Sequence, residues 1–362
     1  MKISRHRSAL VVGVLFSSLV GFTGIASADA PPEHYGNNPI HARPFTTTSP
    51  TGLTPAAVLA AYGFSTSQTA GAGQTIAIVD AYDDPNAEAD LGVFSAQFGL
   101  PACTTANGCF KKVSQTGTTK YPRANAGWAL EISLDVQWAH AIAPGAKILL
   151  VEASSNSFTN LMAAEDYAKT HAGYVSNSWG AAEFSGETAY DSHFSQAGVS
   201  FFVSSGDTGS PAQYPSSSPN VISVGGTTLN FTGGVLTSET GWSGSGGGCS
   251  AYENANAAQQ TGSVNCAGKR ATPDVSLDAD PASGMSVYDS VTYQGQKGWW
   301  VVGGTSASAP MWAARSAGAG VTVDAAYVYG SSITYRDITS GNNGLPALVG
   351  YDLVTGRGSW LG

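Results

Sequence analysis

From Leu53 onward the chain alternates short apolar runs with longer amphipathic stretches. The runs at 75–79 (TIAIV), 147–151, 174–178, 199–204 and 221–224 are rich in β-branched and aromatic residues and bounded by polar ones, so each predicts a strand. Between them, 86–98, 125–142, 158–171 and 187–197 carry apolar residues at helical spacing. Short buried strands separated by helices predict an α/β fold: a mostly parallel central sheet with helices on both faces, in one domain from residue 53 to 362. Ligand sites in such sheets gather at the carboxyl ends of the strands. No internal repeat interrupts the pattern.

The first thirty residues follow another rule. Lys2, Arg5 and Arg7 precede an apolar stretch from Ala9 to Phe22, and Ala26-Ser27-Ala28 supplies small residues for cleavage. This predicts a secretory signal peptide over 1–28 and a secreted, extracellular protein. A membrane anchor is the alternative, but the stretch is short for a bilayer span and is interrupted by Gly and Ser. Residues 29–52, rich in Pro and Thr and without hydrophobic period, are expected to form an extended N-terminal arm, with order beginning near Leu53.

Charge narrows the partners. After signal removal, 13 basic side chains face 25 acidic ones, a formal charge of −12, so nucleic acid is excluded as a target. Only 11% of residues are charged, which leaves few ion pairs to lose in acid. Four cysteines fall into two local pairs, Cys103 with Cys109 and Cys249 with Cys266. In an exported protein they predict two short-loop disulfides, because neither pair has zinc-site spacing or a histidine nearby in sequence.

The strongest chemical signal is Gly303-Gly304-Thr305-Ser306-Ala307-Ser308-Ala309-Pro310, directly after an apolar run. Glycines before Ser306 permit a tight turn, and the small residues after it suit the start of a buried helix whose amides can stabilise an oxyanion. A serine nucleophile needs a base. His34, His41, His140, His171 and His193 remain after export, and none sits in a Gly-Thr-His setting. Instead, Glu131 and Asp135 lie four apart on an apolar helix, flanked by Trp128, Leu130, Ile132, Leu134, Val136 and Trp138. Two carboxyls confined there share a proton, and one can then act as a base in mild acid. Asp207 follows the run 199–204 in a Ser-Gly-Asp turn, and Ser178-Trp179-Gly180 ends another strand whose backbone edge can pair with an extended peptide.

These stretches together resemble the sedolisin family, the serine-carboxyl peptidases, which share the subtilisin fold. The resemblance covers Leu53 to Gly362. It implies that Ser306 is the nucleophile, Glu131 the general base, Asp135 its orienting acid, and Asp207 a hydrogen-bond donor to the oxyanion. It also implies that Ser178, Trp179 and Gly180 pair with substrate, opposed by the glycine-rich stretch 243–250 with Gly246 and Gly247. A single structural Ca²⁺ is implied near the C-terminus, held by the Asp337 and Asp352 side chains and the carbonyls of Ile338, Leu348 and Gly350. Family members carry a long N-terminal prodomain, and here only the arm stands between signal and domain.

The expected activity is therefore a monomeric, secreted endopeptidase that hydrolyses proteins or peptides at acidic pH through an acyl-enzyme, without membrane attachment after signal cleavage. Two alternatives compete with it. One is a neutral subtilisin-type protease using Asp80, His140 and Ser306; the other is an inactive secreted binding protein on the same scaffold. The acidic turn Asp80, Asp83 and Asp84 is read as structural or cleft-lining.

Overall fold

A computed structural model describes residues 33–38, 40–44, 49–260, 266–330 and 332–362. The signal-peptide expectation for 1–28 lies outside them.

The chain opens with strand β1 (His41–Pro44) and helix α1 (Pro55–Tyr62), then β2 (Thr75–Ala81), α2 (Ala87–Phe98), β3 (Phe110–Ser114) and α3 (Ala126–Ile142). It continues with β4 (Lys147–Ala153), α4 (Phe158–Ala168), β5 (Tyr174–Asn177), β6 (Ser200–Ser204), β7 (Ile222–Thr232) and β8 (Val235–Gly241). Next come β9 (Val275–Asp278), β10 (Met285–Tyr293), β11 (Gln296–Gly303) and α5 (Thr305–Ala319).

Eight strands form the central sheet in the order β8-β7-β6-β5-β2-β4-β3, with β9 alongside β7. Every pairing is parallel except that of β8 with β7. The α/β expectation holds, and the alternation of β2 shows why. Ile76 and Ile78 face the cluster built with α2, α3 and α5, whereas Ala77, Val79 and Ala81 face the cluster under α4. The same period of two turns Asp80 towards α3 and α5. A second, three-stranded sheet, β1-β11-β10, flanks α3.

Two expectations change. The stretch 187–197 folds as a short 3₁₀ helix, Glu187–Phe194. The arm does not merely precede the ordered domain: Tyr35 bridges Ser157, Asn37 bridges Gly180, and His41–Pro44 is the edge strand on β11. Both disulfides, Cys103–Cys109 and Cys249–Cys266, are formed. Among the described residues, no helix is long and apolar enough to cross a membrane.

Candidate active site

Helix α3 starts where the Asn125 side chain accepts hydrogen bonds from the amides of Gly127 and Trp128, at 3.0 and 3.2 Å. From Trp128 to Ile142 every residue is buried, Glu131 and Asp135 included. Their four-residue spacing sets both carboxyls on the face turned to β2 and α5.

Helix α5 carries Ser306 at its second position, just past Gly304, whose φ of 125° excludes other residues without strain. Pro310 has no N–H to give the Ser306 carbonyl, its normal helical partner four residues back. The Ser178 hydroxyl donates to that carbonyl instead, at 3.3 Å. A strand-end residue is thereby fixed against the backbone of the candidate nucleophile. Asp207 approaches from the turn after β6, where Gly206 also has positive φ (105°). One carboxylate oxygen, Oδ1, accepts from the Thr305 amide (2.8 Å) and hydroxyl (2.9 Å). A proton on Asp207 therefore belongs on Oδ2, the oxygen left free to donate.

The carboxyls at 80, 131 and 135 lie in one electrostatic group. Burial pushes Asp80 up to about 8. Burial first, then the charge of Asp80 and more weakly that of Asp207, hold Glu131 well above the usual carboxylate range, while the Ser306 and Asn38 side chains work in the opposite direction. Asp135 is raised well above its ordinary value by burial, then by Asp80 and Glu131, against the pull of the Ser178 hydroxyl. Burial lifts Asp207 to about 8 despite its two bonds from Thr305. Neither Glu131 nor Asp135 closes a hydrogen bond of standard geometry with these hydroxyls. The network is close but loose, as acid–base pairs without substrate often are. Three acids so deeply buried cannot all be ionised, so protons are shared among them. Asp80, read from sequence as structural or lining the cleft, belongs to this group. Asp83 instead pairs with Lys112 at 2.5 Å, and Asp84 accepts from the Asn86 amide and the Ser133 hydroxyl.

His140 is remote from this chemistry. Its Nε2 contacts the Pro101 carbonyl at 2.9 Å, and the ring lies against the Cys103–Cys109 disulfide. His171 bonds its own helix end, and His193 pairs with Asp166. Among the described residues, His41, in the arm, is the histidine that reaches the candidate site, with Nε2 3.4 Å from Asp207 Oδ2.

The expected substrate edges are differently placed. Trp179 is fully buried, its indole N–H donating to the Val79 carbonyl, so its side chain is core and only its backbone lies at the edge. Gly246 is pressed onto Ser205 and Gly206, and Gly247 onto Leu353 and Thr272, so closely that a Cβ at either would fall within 2.1 Å of a carbonyl oxygen. Ser243, Gly244 and the disulfide-bonded Cys249 are the accessible residues of that stretch. Near the C-terminus, Asp337 Oδ2 accepts from the Gly350 amide and Asp352 Oδ2 from the Leu348 amide, each at 2.9 Å. Both carboxylates are thus drawn to one loop that also presents carbonyls, a donor set of hard oxygens suited to Ca²⁺.

The subtilase family model matches residues 123–324. Kumamolisin from Bacillus sp. (strain MN-32) is 32% identical over 87% of this chain and 63% of its own length, and xanthomonalisin from Xanthomonas sp. (strain T-22) is 30% identical over 75% of this chain and 41% of its own. The chain thus spans less than two thirds of these relatives. A solved Pseudomonas sedolisin, described as a serine-carboxyl proteinase complexed with two molecules of pseudo-iodotyrostatin, aligns with a TM-score of 0.72 and 29% identity, covering 87% of this chain and 96% of that one.

Proposed function

Because the chain belongs to the subtilase family and, within it, to the sedolisins, we propose that it is a secreted serine endopeptidase acting at acidic pH through Ser306, Glu131, Asp135 and Asp207. The observation that carries this reading is the gathering of one serine with buried, proton-sharing carboxyls where subtilases need a base, while His140 lies elsewhere. Glu131 takes the proton from Ser306 Oγ as that oxygen bonds to the carbonyl carbon of a peptide. Asp135 and Asp80, which share the remaining proton, hold Glu131 in its basic form and orientation. The negative charge arriving on the carbonyl oxygen accepts a hydrogen bond from the protonated Oδ2 of Asp207. Collapse of the tetrahedral adduct breaks the C–N bond, and the departing amine takes the proton from Glu131. Water then cleaves the acyl-enzyme by the same route, with Glu131 as base, releasing the new carboxyl end and free Ser306.

A bound Ca²⁺ would add positive charge between Asp337 and Asp352 and brace the C-terminal loop. The residues at that loop that would hold it are Asp337, Ile338, Leu348, Gly350 and Asp352. Export would follow from the leader over 1–28. The test is hydrolysis of denatured protein from pH 3 to 9 by the wild type, Ser306→Ala and Glu131→Ala. Loss of at least about 10³-fold in both variants is expected for residues acting as a unit; full activity in either overturns the assignment.

A further inference from the structure

Helix α3 must hold Glu131 and Asp135 at the candidate nucleophile, yet among the described residues no hydrogen bond of standard geometry ties either carboxyl down. Their positions are therefore those of the helix that carries them. Leu130, Ile132 and Leu134 pack that helix into the core, but apolar contact is non-directional and lets a helix turn or slide. Directional contacts come from its back. Successive residues are about 100° apart on a helix, so Gln137 points about 200° away from Asp135. Gln137 is fully buried, and both ends of its amide are taken by one residue of β10. Its Nε2 donates to the Tyr288 carbonyl at 2.6 Å, and its Oε1 accepts from the Tyr288 amide at 2.9 Å. The neighbouring Trp138 indole donates to the Ser286 carbonyl at 3.0 Å.

Strand β10 is the outer strand of its three-stranded sheet, so these backbone groups have no neighbouring strand to bond. The rest of the edge is filled in the same way: the Ser286 amide donates to the Leu53 carbonyl, and the Ser290 amide to Asp90 of α2. On its inner edge β10 pairs with β11, Tyr288 opposite Trp299 and Ser286 opposite Val301. Strand β11 ends at Gly303, and Ser306 follows three residues later. One strand thus fixes both the helix that carries the candidate base and the strand that delivers the candidate nucleophile. A side-chain amide that matches the N–H and the C=O of a single residue sets the rotation and the height of its helix together.

We propose that Gln137, with Trp138 beside it, is a positioning residue for the reaction: its amide locks α3 onto the hairpin β10–β11 and so sets the reach from Glu131 to Ser306. The inference rests on the reading of those two residues as base and nucleophile. An error of about 1 Å in such a reach can cost on the order of 10²-fold in rate. The loss falls on kcat, since Gln137 faces away from the cleft and does not meet substrate.

Gln137→Met keeps the bulk of the side chain and removes both bonds. Hydrolysis of a quenched fluorescent peptide, well below the Tm of the variant, should show kcat lowered about ten- to a hundredfold with KM within about twofold. Gln137→Glu at about pH 4 restores both bonds, one oxygen accepting and the protonated one donating, and should return kcat to within about threefold of wild type. A double-mutant cycle separates positioning from general packing. Read as the rate of Ser306 phosphonylation by a fluorophosphonate, Gln137→Met should slow the wild-type background about tenfold or more and the Glu131→Ala background less than about twofold. Equal slowing in both backgrounds, or a folded Gln137→Met with kcat within twofold of wild type, overturns the inference. If Gln137→Met does not fold, Trp138→Phe, which removes one bond and keeps an aromatic ring, runs the same cycle with an expected loss of about threefold. No loss, or equal loss in both backgrounds, overturns the inference there too. Ser306→Ala and Glu131→Ala in the same assay mark the other failure. Full activity in either one sinks the catalytic reading, whereas inactivity in both beside an unimpaired Gln137→Met sinks the positioning role alone.

Discussion

Replacing Asp207 separates a hydrogen-bond donor from a mere structural acid. Its Oδ1 is committed to two donors from Thr305, so an asparagine will place its oxygen there and its NH₂ where the acid carries its proton. Asp207→Asn therefore keeps a donor aimed at the oxyanion and makes it independent of pH, whereas Asp207→Ala removes it. Loss of one such donor costs about 10²–10³ in kcat. In wild type the donor exists only while Asp207 is protonated, and its fraction falls about tenfold for each pH unit above the pKa. That pKa is about 8, with burial its largest cause, so the alkaline limb of kcat/KM should lie no higher than about 8. The assay is hydrolysis of a quenched fluorescent peptide from pH 3 to 9. Asp207→Ala should lose about 10²–10³ throughout, while Asp207→Asn should lose less and no longer decline along the wild-type alkaline limb. An unchanged limb in Asp207→Asn, or activity within twofold in Asp207→Ala, refutes the donor role.

Further outcomes follow from the same electrostatics. Asp80→Asn removes a charge that raises both Glu131 and Asp135, so the acid limb of kcat/KM should move to lower pH; a drop in kcat with no shift would mean that Asp80 acts only through packing. Glu165 is buried beside Asn177 and raised to about 8, chiefly by burial. Its folded-state pKa lies above the unfolded one, so its contribution to stability is complete below about pH 4.5 and lost as pH rises through about 8. Tm by scanning fluorimetry should fall over that window, and Glu165→Gln should flatten the decline by up to about 1.4 kcal/mol per pH unit; an identical slope refutes the cause. If Asp337 and Asp352 hold Ca²⁺, chelator should lower Tm by roughly 5 °C relative to saturating Ca²⁺, and Asp352→Asn should abolish the difference; a Tm indifferent to both rules the site out.

The central strands and helices were readable because their apolar runs have one period each, as in Thr75–Val79 and around Glu131. Strand β3 was not, since Lys111 and Lys112 interrupt its pattern: Lys112 reaches a buried group of acids, a tertiary fact. The acids at 131, 135 and 207 stood out because each is a charge in an apolar or strand-end setting. Asp80 had the same signal, two positions past Ile78 on one face of β2, but its neighbours Asp83 and Asp84 disguised it as part of a polar turn. The arm escaped because its strand pairing with Gly180 and β11 runs through backbone amides and carbonyls, which leave no hydrophobic period to read. The burial of the Trp179 ring was not legible for the opposite reason: it depends on Phe158 and Phe194, which sequence spacing does not bring together.

The central claim is that a carboxylate, not an imidazole, activates Ser306. It is tested most directly by phosphonylation of Ser306 with a fluorophosphonate, followed by intact mass at mildly acidic pH for wild type, Glu131→Ala, His140→Ala and His41→Ala. Both histidine variants are expected to label at the wild-type rate, and Glu131→Ala at least about 10²-fold more slowly. Rapid labelling of Glu131→Ala, together with loss of labelling in either histidine variant, would contradict the account.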